Sequence, residues 1–215
     1  MKEEFAVSDD YAQAMGRLLV LYTQVDQFIM EACAKRMRQA PDQVAKLGLA
    51  KQVGDECRHV VIQQEWMQRF GVDPAPVVPE RLLDELHRHF GGLDWVDFLT
   101  DLYLVIEALG SQAVEQVVPL ADPGTRESLR IPLQDELDHV AFGMRQLKQA
   151  LANMTEPQRQ ERLRLIPERI RSMVGRFEEI DVPVSEWFER VGANLEALQG
   201  ELQRRQDELL GELAA

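Results

Sequence analysis

The chain of 215 residues is short of several things, and each shortage removes a class of function. It has two cysteines, Cys33 and Cys57, far apart in the sequence. They form no Cys-x-x-Cys pair and no disulfide framework, which excludes a rubredoxin-type iron site or a thioredoxin-like redox pair within the chain. Positive charge is scarce: 24 Lys and Arg stand against 37 Asp and Glu, a formal net charge of −13. A nonspecific binder of phosphate backbones would be repelled by its own ligand at that charge, so no nucleic acid is expected as partner. No apolar run approaches the roughly 20 residues of a bilayer span, and the opening MKEEFAVSDD lacks the basic and apolar regions of a signal peptide. The expectation is a cytoplasmic protein with no membrane partner.

Glycine and proline, at 13 and 10 residues, are sparse too, and the segments between them carry apolar residues three and four apart. That spacing marks amphipathic helices, and no strand pattern accompanies it. With 45% hydrophobic residues the chain can bury a core. The pattern predicts an all-α protein. A first helix runs from the Ser8-Asp9-Asp10 cap to about Gln39, with Met15, Leu18, Leu19, Tyr22, Val25, Ile29 and Met30 inward, and a second runs over residues 42–70. The proline-rich VDPAPVVP forces a crossover, followed by a short helix over Glu80 to Phe90. A third long helix is expected from Leu93 to Val118 and a fourth from Thr125 to Asn153, kinked by Pro132 or starting there. Two short hairpins joined by one long crossover is the topology of a ferritin-like four-helix bundle. Residues 1–153 would form it. The remainder, 154–215, reads as a helical extension with helices over Pro157 to Glu179 and Ser185 to Leu213. Its stripes, Leu163 to Phe177 and Trp187 to Leu209, suit packing on the bundle or pairing with a second subunit as a homodimer.

The most informative feature is an internal repeat. Leu21-Tyr22 followed by Asp26 recurs as Leu102-Tyr103 followed by Glu107, and Asp55-Glu56-Cys57-Arg58-His59-Val60 recurs as Asp135-Glu136-Leu137-Asp138-His139-Val140. Glu and His at i and i+3 share one helix face, so each pair can reach one metal ion or two adjacent ones. In an antiparallel hairpin, residues equidistant from the turn lie at one height. The midpoint of Asp26 and Glu56 is Pro41, and that of Glu107 and Glu136 falls within Leu120 to Gly124, where turns are expected. Glu31, a rival for Asp26, puts the midpoint past Pro41 and lacks the Leu-Tyr match.

Four carboxylates and two imidazoles meeting inside a bundle would cost several kcal/mol for each unpaired charge. Two divalent cations cancel it. Oxygen-rich ligation with one imidazole per metal suits iron or manganese. The expected ligands are Asp26 and Glu107 as terminal carboxylates, Glu56 and Glu136 as bridges, and His59 and His139 on one ion each. Asp55 and Asp135 would hold the distal N–H of the histidines. Tyr22 and Tyr103, one turn before the terminal carboxylates, are candidates to hydrogen-bond them or to carry an electron. The small residues Ala108, Gly110, Ser111 and Gly143 leave room for a substrate pocket. Cys33, Trp66 and Trp95 read as core residues, and His87 and His89 as surface ones.

Over about residues 9–150 this series resembles the ferritin-like di-metal carboxylate proteins, whose pattern is one Glu from each of two helices and Glu-x-x-His from the other two. Asp26 is similar to the first-helix Asp of ribonucleotide reductase small subunits. Asp55-Glu56-Cys57-Arg58-His59 is similar to the DExRH motif of bacterial multicomponent hydroxylases, from which the second copy departs at Asp138. Length and intervals are also similar to those of the aldehyde-deformylating and phenylacetyl-coenzyme A oxygenase proteins. The resemblance implies an oxidoreductase with two iron ions, or an iron and manganese pair, that activates O2 to hydroxylate or otherwise oxidise a small organic substrate, Glu56 and Glu136 acting at its centre. It also implies a separate electron donor, a reductase or ferredoxin. The alternative is a ferroxidase with Fe(II) as substrate.

Overall fold

A computed structural model of the chain describes residues 7–178 and 182–214, leaving the side chain of Phe177, and all of Glu179 and Asp181, outside the described residues. Among the described residues there are helices and no strand. The first hairpin pairs α1 (Asp9–Arg36), extended by a 3₁₀ turn at Met37–Gln39, with α2 (Gln43–Phe70). Ser8 caps α1 by accepting from the Tyr11 amide, and Asp42 caps α2 by accepting from the Ala45 amide. Gly71, at φ 63°, ends α2 in the left-handed conformation that a side chain resists.

The crossover that follows is held by Gln24, whose Oε1 accepts from the Val77 and Val78 amides at 2.7 and 2.8 Å. It leads through α3 (Glu80–Gly92) to the third rod, which is not the single α-helix that periodicity predicts. The rod begins as α4 (Trp95–Leu99), widens into a π-helix over Thr100–Glu107, and returns to α5 (Ala108–Val117). All eight residues of the π segment are buried. The fourth rod, α6 (Pro123–Ala152), starts with a proline at its first position behind the Asp122 cap, so Pro132 lies inside the helix and does not begin it.

The extension adds α7 (Glu156–Glu178), α8 (Val184–Arg190) and α9 (Leu195–Ala214). The helix expected over Ser185 to Leu213 is broken: Gly192, at φ 96°, stops α8, and Asn194 restarts α9 by accepting from the Ala197 amide. α7 packs on the π segment, α8 on α1 and α9 on α5, so the extension covers the bundle on the side of the first and third rods. No described helix is long and apolar enough to cross a membrane.

The core is in two parts. One gathers Phe28, Leu49, Phe98, Tyr103 and Leu147, the other Met15, Leu18, Met67, Leu129 and Trp187. On every rod the residues between these clusters are polar: Asp26 on the first, Glu56 and His59 on the second, Glu107 on the third, Glu136 and His139 on the fourth. The bundle is two hydrophobic plugs with a charged layer between them.

Candidate metal centre

That layer holds all six predicted ligands, five of them in two close groups. Asp26, Glu56 and His59 form one buried group and Glu56, Glu107 and His139 another, each offering atoms within 4.8 Å of one another. Glu56 belongs to both, as a bridge would. Glu136, half-buried with its Oε2 unpartnered, belongs to neither group, so the arrangement shows one shared carboxylate and not the two bridges expected, although the charges of Glu107 and Glu56 act on it. Glu31 points elsewhere, its exposed carboxylate 3.2 Å from Lys35 Nζ.

The histidines are oriented across the pseudo-symmetry. His59 Nε2 lies 3.0 Å from Asp135 Oδ2, and His139 Nε2 lies 3.2 Å from Asp55 Oδ2, so each aspartate holds the ring of the other half. With Nε2–H donated outward, both Nδ1 atoms face the carboxylates. Arg58 pairs with Asp135, and Lys51 Nζ lies 2.7 Å from Asp55 Oδ2. Lys51 thus serves where the second copy, with Asp138, lacks an arginine. Against the cost of burial, Lys51 and His139 hold Asp55 below the usual carboxylate range, and His59 and Arg58 do the same for Asp135.

Inside, the shifts run the other way. Burial, then the charge of Glu56, raises both Asp26 and Glu107, and burial with Glu107 and Glu56 pushes Glu136 up to about 8. Burial alone would lower the imidazoles, but the facing carboxylates win and raise His59 and His139 to about 9. Metal-free, the layer retains protons that a cation would displace. Glu136 Oε2 and His139 Nδ1 are buried with no hydrogen-bond partner, although Nδ1 stands 3.3 Å from Glu56 Oε1. Buried polar atoms left unpaired in this way, in a set of oxygen and imidazole donors, fit a pair of first-row divalent ions.

Two glutamines on α2 complete the layer and are absent from the sequence reading. Gln63 Nε2 donates to Asp26 Oδ2 at 2.8 Å while its Oε1 lies 2.9 Å from the Thr23 hydroxyl. Gln52 donates to Glu107 and accepts the Tyr103 hydroxyl at 2.6 Å. The available signal was the inward stripe of α2, where Leu49, Gln52, Glu56, His59, Gln63 and Met67 follow at steps of three and four. Tyr103 therefore reaches Glu107 only through Gln52, and not directly as its spacing suggests. The π turn between them changes their relative rotation. Tyr22, on a regular α-helix, has a buried hydroxyl with no partner. Burial, then Glu136 and Asp26, raises its pKa, so it stays a protonated donor.

Tyr22, Asp26, Glu107 and Glu136 form one wall of a cavity of about 520 Å³. Gly110 and Ser111 line it as expected, and α8 and α9 add Phe188, Leu195, Leu198 and Leu202 to its walls. Ala108 is buried away from it, and Gly143 serves packing: a Cβ there would sit 2.1 Å from Tyr103 Cγ. His87 and His89 are half-buried and not surface residues. His89 Nε2 lies 2.6 Å from the buried Asp101, which Arg169 also grips at 2.6 Å, an ion-paired cluster that fixes α3 and α7 to the π segment.

A family profile described as a ferritin-like domain of actinomycetes matches residues 9–175. The chain belongs to this ferritin-like family. None of the curated proteins matches it. Among solved structures, a protein from Synechococcus with aldehyde deformylating oxidase activity superposes with a TM-score of 0.78 at 16% identity, covering 97% of this chain and 93% of the other. A point variant of an R2-like ligand-binding oxidase with an aerobically reconstituted Mn/Fe cofactor superposes at 0.66 and 13% identity, covering 97% and 83%. A second variant of that oxidase, with the same cofactor, gives 0.66 and 11% identity, covering 97% and 82%. At these identities the likeness establishes the shared ferritin-like fold.

Proposed function

We propose that this ferritin-like protein is an oxidase in which two iron ions, or an iron and manganese pair, use O2 to oxidise a small organic substrate. The observation that carries the reading is the junction of two ligand groups sharing Glu56 with an apolar cavity bounded by Asp26, Glu107 and Glu136. Asp26, Glu56 and His59 would hold one ion, and Glu107, Glu136, His139 and the shared Glu56 the other. When bound, the metal pair supplies the O2 and redox chemistry. The chain does the rest. Asp55 and Asp135 keep the Nε2 protons in place, Gln52 and Gln63 fix one oxygen each of Glu107 and Asp26, and the aliphatic wall of the cavity offers an apolar surface to the substrate. The Tyr22 hydroxyl offers a proton to the polar end of a substrate beside the carboxylates. With Cys33 buried and Cys57 alone on the surface, electrons come from a separate reductase or ferredoxin.

Metal analysis of protein expressed with iron and manganese tests this. Two equivalents are expected, His139→Ala losing about one and Glu56→Ala at least one with helix content retained. Two equivalents in both variants would contradict the ligand assignment. If added Fe(II) accumulated as mineral far beyond two per chain, the protein would be an iron store with Fe(II) as its substrate.

A further inference from the structure

The outer face of α2 and α6 differs from the rest of the molecule in charge, in apolar content and in what lies beneath it. α2 carries Lys46, Lys51, Arg58 and Arg69, and α6 carries Arg126, Arg130, Arg145 and Lys148, eight of the 24 basic residues of the chain. Apart from the inward Glu56 and Glu136, these helices hold five of the 37 acidic residues, Asp55, Glu65, Glu127, Asp135 and Asp138. In a chain of net charge −13 the two helices thus carry an excess of three positive charges outside the inward pair, with Lys51, Arg58 and Arg130 paired to carboxylates and Lys46, Arg145 and Lys148 exposed around them. Exposed apolar side chains collect on it as well. Val44 at 66%, Leu47 at 59%, Val61, Ile131 and Leu137 are five of the seven large hydrophobic residues that the described surface exposes. Val44, Leu47, Lys51, Arg58 and Val61 follow one stripe of α2 at helical intervals. The helices of the extension pack chiefly on α1, α5 and the π segment, with α7 also meeting α6, and the exposed stripe of α2 stays open.

Directly beneath lie the two aspartates that hold the histidine rings. Arg58, half exposed, pairs with Asp135, which is hydrogen-bonded to His59, and Lys51 pairs with Asp55, which is hydrogen-bonded to His139. From solvent to either imidazole is therefore two hydrogen-bonded side chains, whereas on the opposite side the cavity and α8 and α9 intervene.

We propose that the α2/α6 face is the docking surface for a small acidic one-electron carrier of the iron–sulfur class. The inference rests on the oxidase reading, because it supplies that site with electrons. Each docked carrier loses one electron, which passes along the His59–Asp135 or His139–Asp55 contact and would reduce by one electron the metal pair that these histidines would hold; no covalent bond forms or breaks, and the carrier leaves oxidised by one electron. A few apolar residues within a charged rim suit the small, short-lived interfaces of electron transfer. A second copy of this chain fits worse. Across a two-fold axis the same basic patch would meet itself, placing like charges together.

The test uses the metal-loaded protein, a reduced plant-type [2Fe–2S] ferredoxin as the acidic probe, and an uncharged reduced dye as a small reductant. The rate of ferredoxin reoxidation should fall as salt rises, and the Arg130→Glu/Arg145→Glu double variant should slow it about tenfold at low salt. Metal content and the dye-driven rate should stay unchanged. Arg159→Glu/Arg204→Glu, on α7 and α9, should leave both rates alone. Absence of ferredoxin oxidation, a rate indifferent to salt, or equal slowing by the two double variants would overturn the proposal. So would a wild-type dimer that Leu47→Glu splits in sedimentation, since the face would then belong to a second copy. Failure of the dye itself to reduce a metal-loaded protein would instead refute the oxidase reading, and the docking proposal would fall with it.

Discussion

Stripping the metal should reverse the way stability depends on pH. In the metal-free layer His59 and His139 are raised to about 9 by the carboxylates facing them, against about 6.5 in an unfolded chain. A folded pKa above the unfolded one gives stability that is complete below about pH 6.5 and is lost as pH climbs through about 9. At about 1.4 kcal/mol per pKa unit, one such histidine accounts for on the order of 3 kcal/mol. Both rings face Glu56, so we count one. Glu136, raised to about 8 chiefly by burial and then by Glu107 and Glu56, adds a loss of the same sign as pH rises through 8. For a chain of this size the melting temperature of the stripped protein should fall roughly 6–12 °C between pH 6.5 and 9. Cations compete with those same protons, so the metal-loaded protein gains affinity as pH rises and the gap between the two forms widens. Paired thermal melts of chelator-treated and reloaded protein across that range measure it, the loaded form controlling for general charge repulsion. A stripped protein whose melting point stays level or rises would show that the imidazoles do not face carboxylates.

Two packing predictions concern the tyrosines. Gly143→Ala places a methyl 2.1 Å from the ring of Tyr103, which is fully buried and tied by its hydroxyl to Gln52; the expected loss is about 1–3 kcal/mol in chemical denaturation, with weaker metal retention at Glu107. Unchanged stability would mean the ring can move without disturbing Gln52. Gln52, four residues before Glu56, has Pro132 as its counterpart four residues before Glu136, and Pro132 and Tyr22 both line the cavity. Pro132→Gln gives the Tyr22 hydroxyl the partner that Tyr103 has, and removes a helix-interior proline worth about 3 kcal/mol. A higher melting point and full metal content with loss of organic-substrate oxidation are expected; undiminished turnover in a steady-state oxygen-uptake assay would show that the cavity is not the substrate site.

How much of this could be read from the residues follows from what a repeat encodes. Asp26, Glu56, His59, Glu107, Glu136 and His139 were legible because each recurs at matched heights in two hairpins, and a hairpin is fixed by its turns. The break at Gly192 and the π segment were not, because periodicity reports an inward face and is blind to the hydrogen bond that shifts from the fourth to the fifth residue. Gln52 and Gln63 escaped because they occur in one half alone. At the position of Gln63, four after the histidine, the second half has Gly143, and at the position of Gln52 it has Pro132. Those two exchanges are where the halves part company in chemistry. On the side of Tyr103 a glycine admits the ring and a glutamine takes its hydroxyl, so the space is filled. On the side of Tyr22 a proline side chain offers no acceptor, the hydroxyl is left without a partner, and the bundle opens into the cavity that α8 and α9 help to line. A symmetric set of carboxylates and imidazoles thus sits between one filled wall and one hollow one, and on the proposed oxidase reading the asymmetry, not the repeat, decides on which side a substrate would stand.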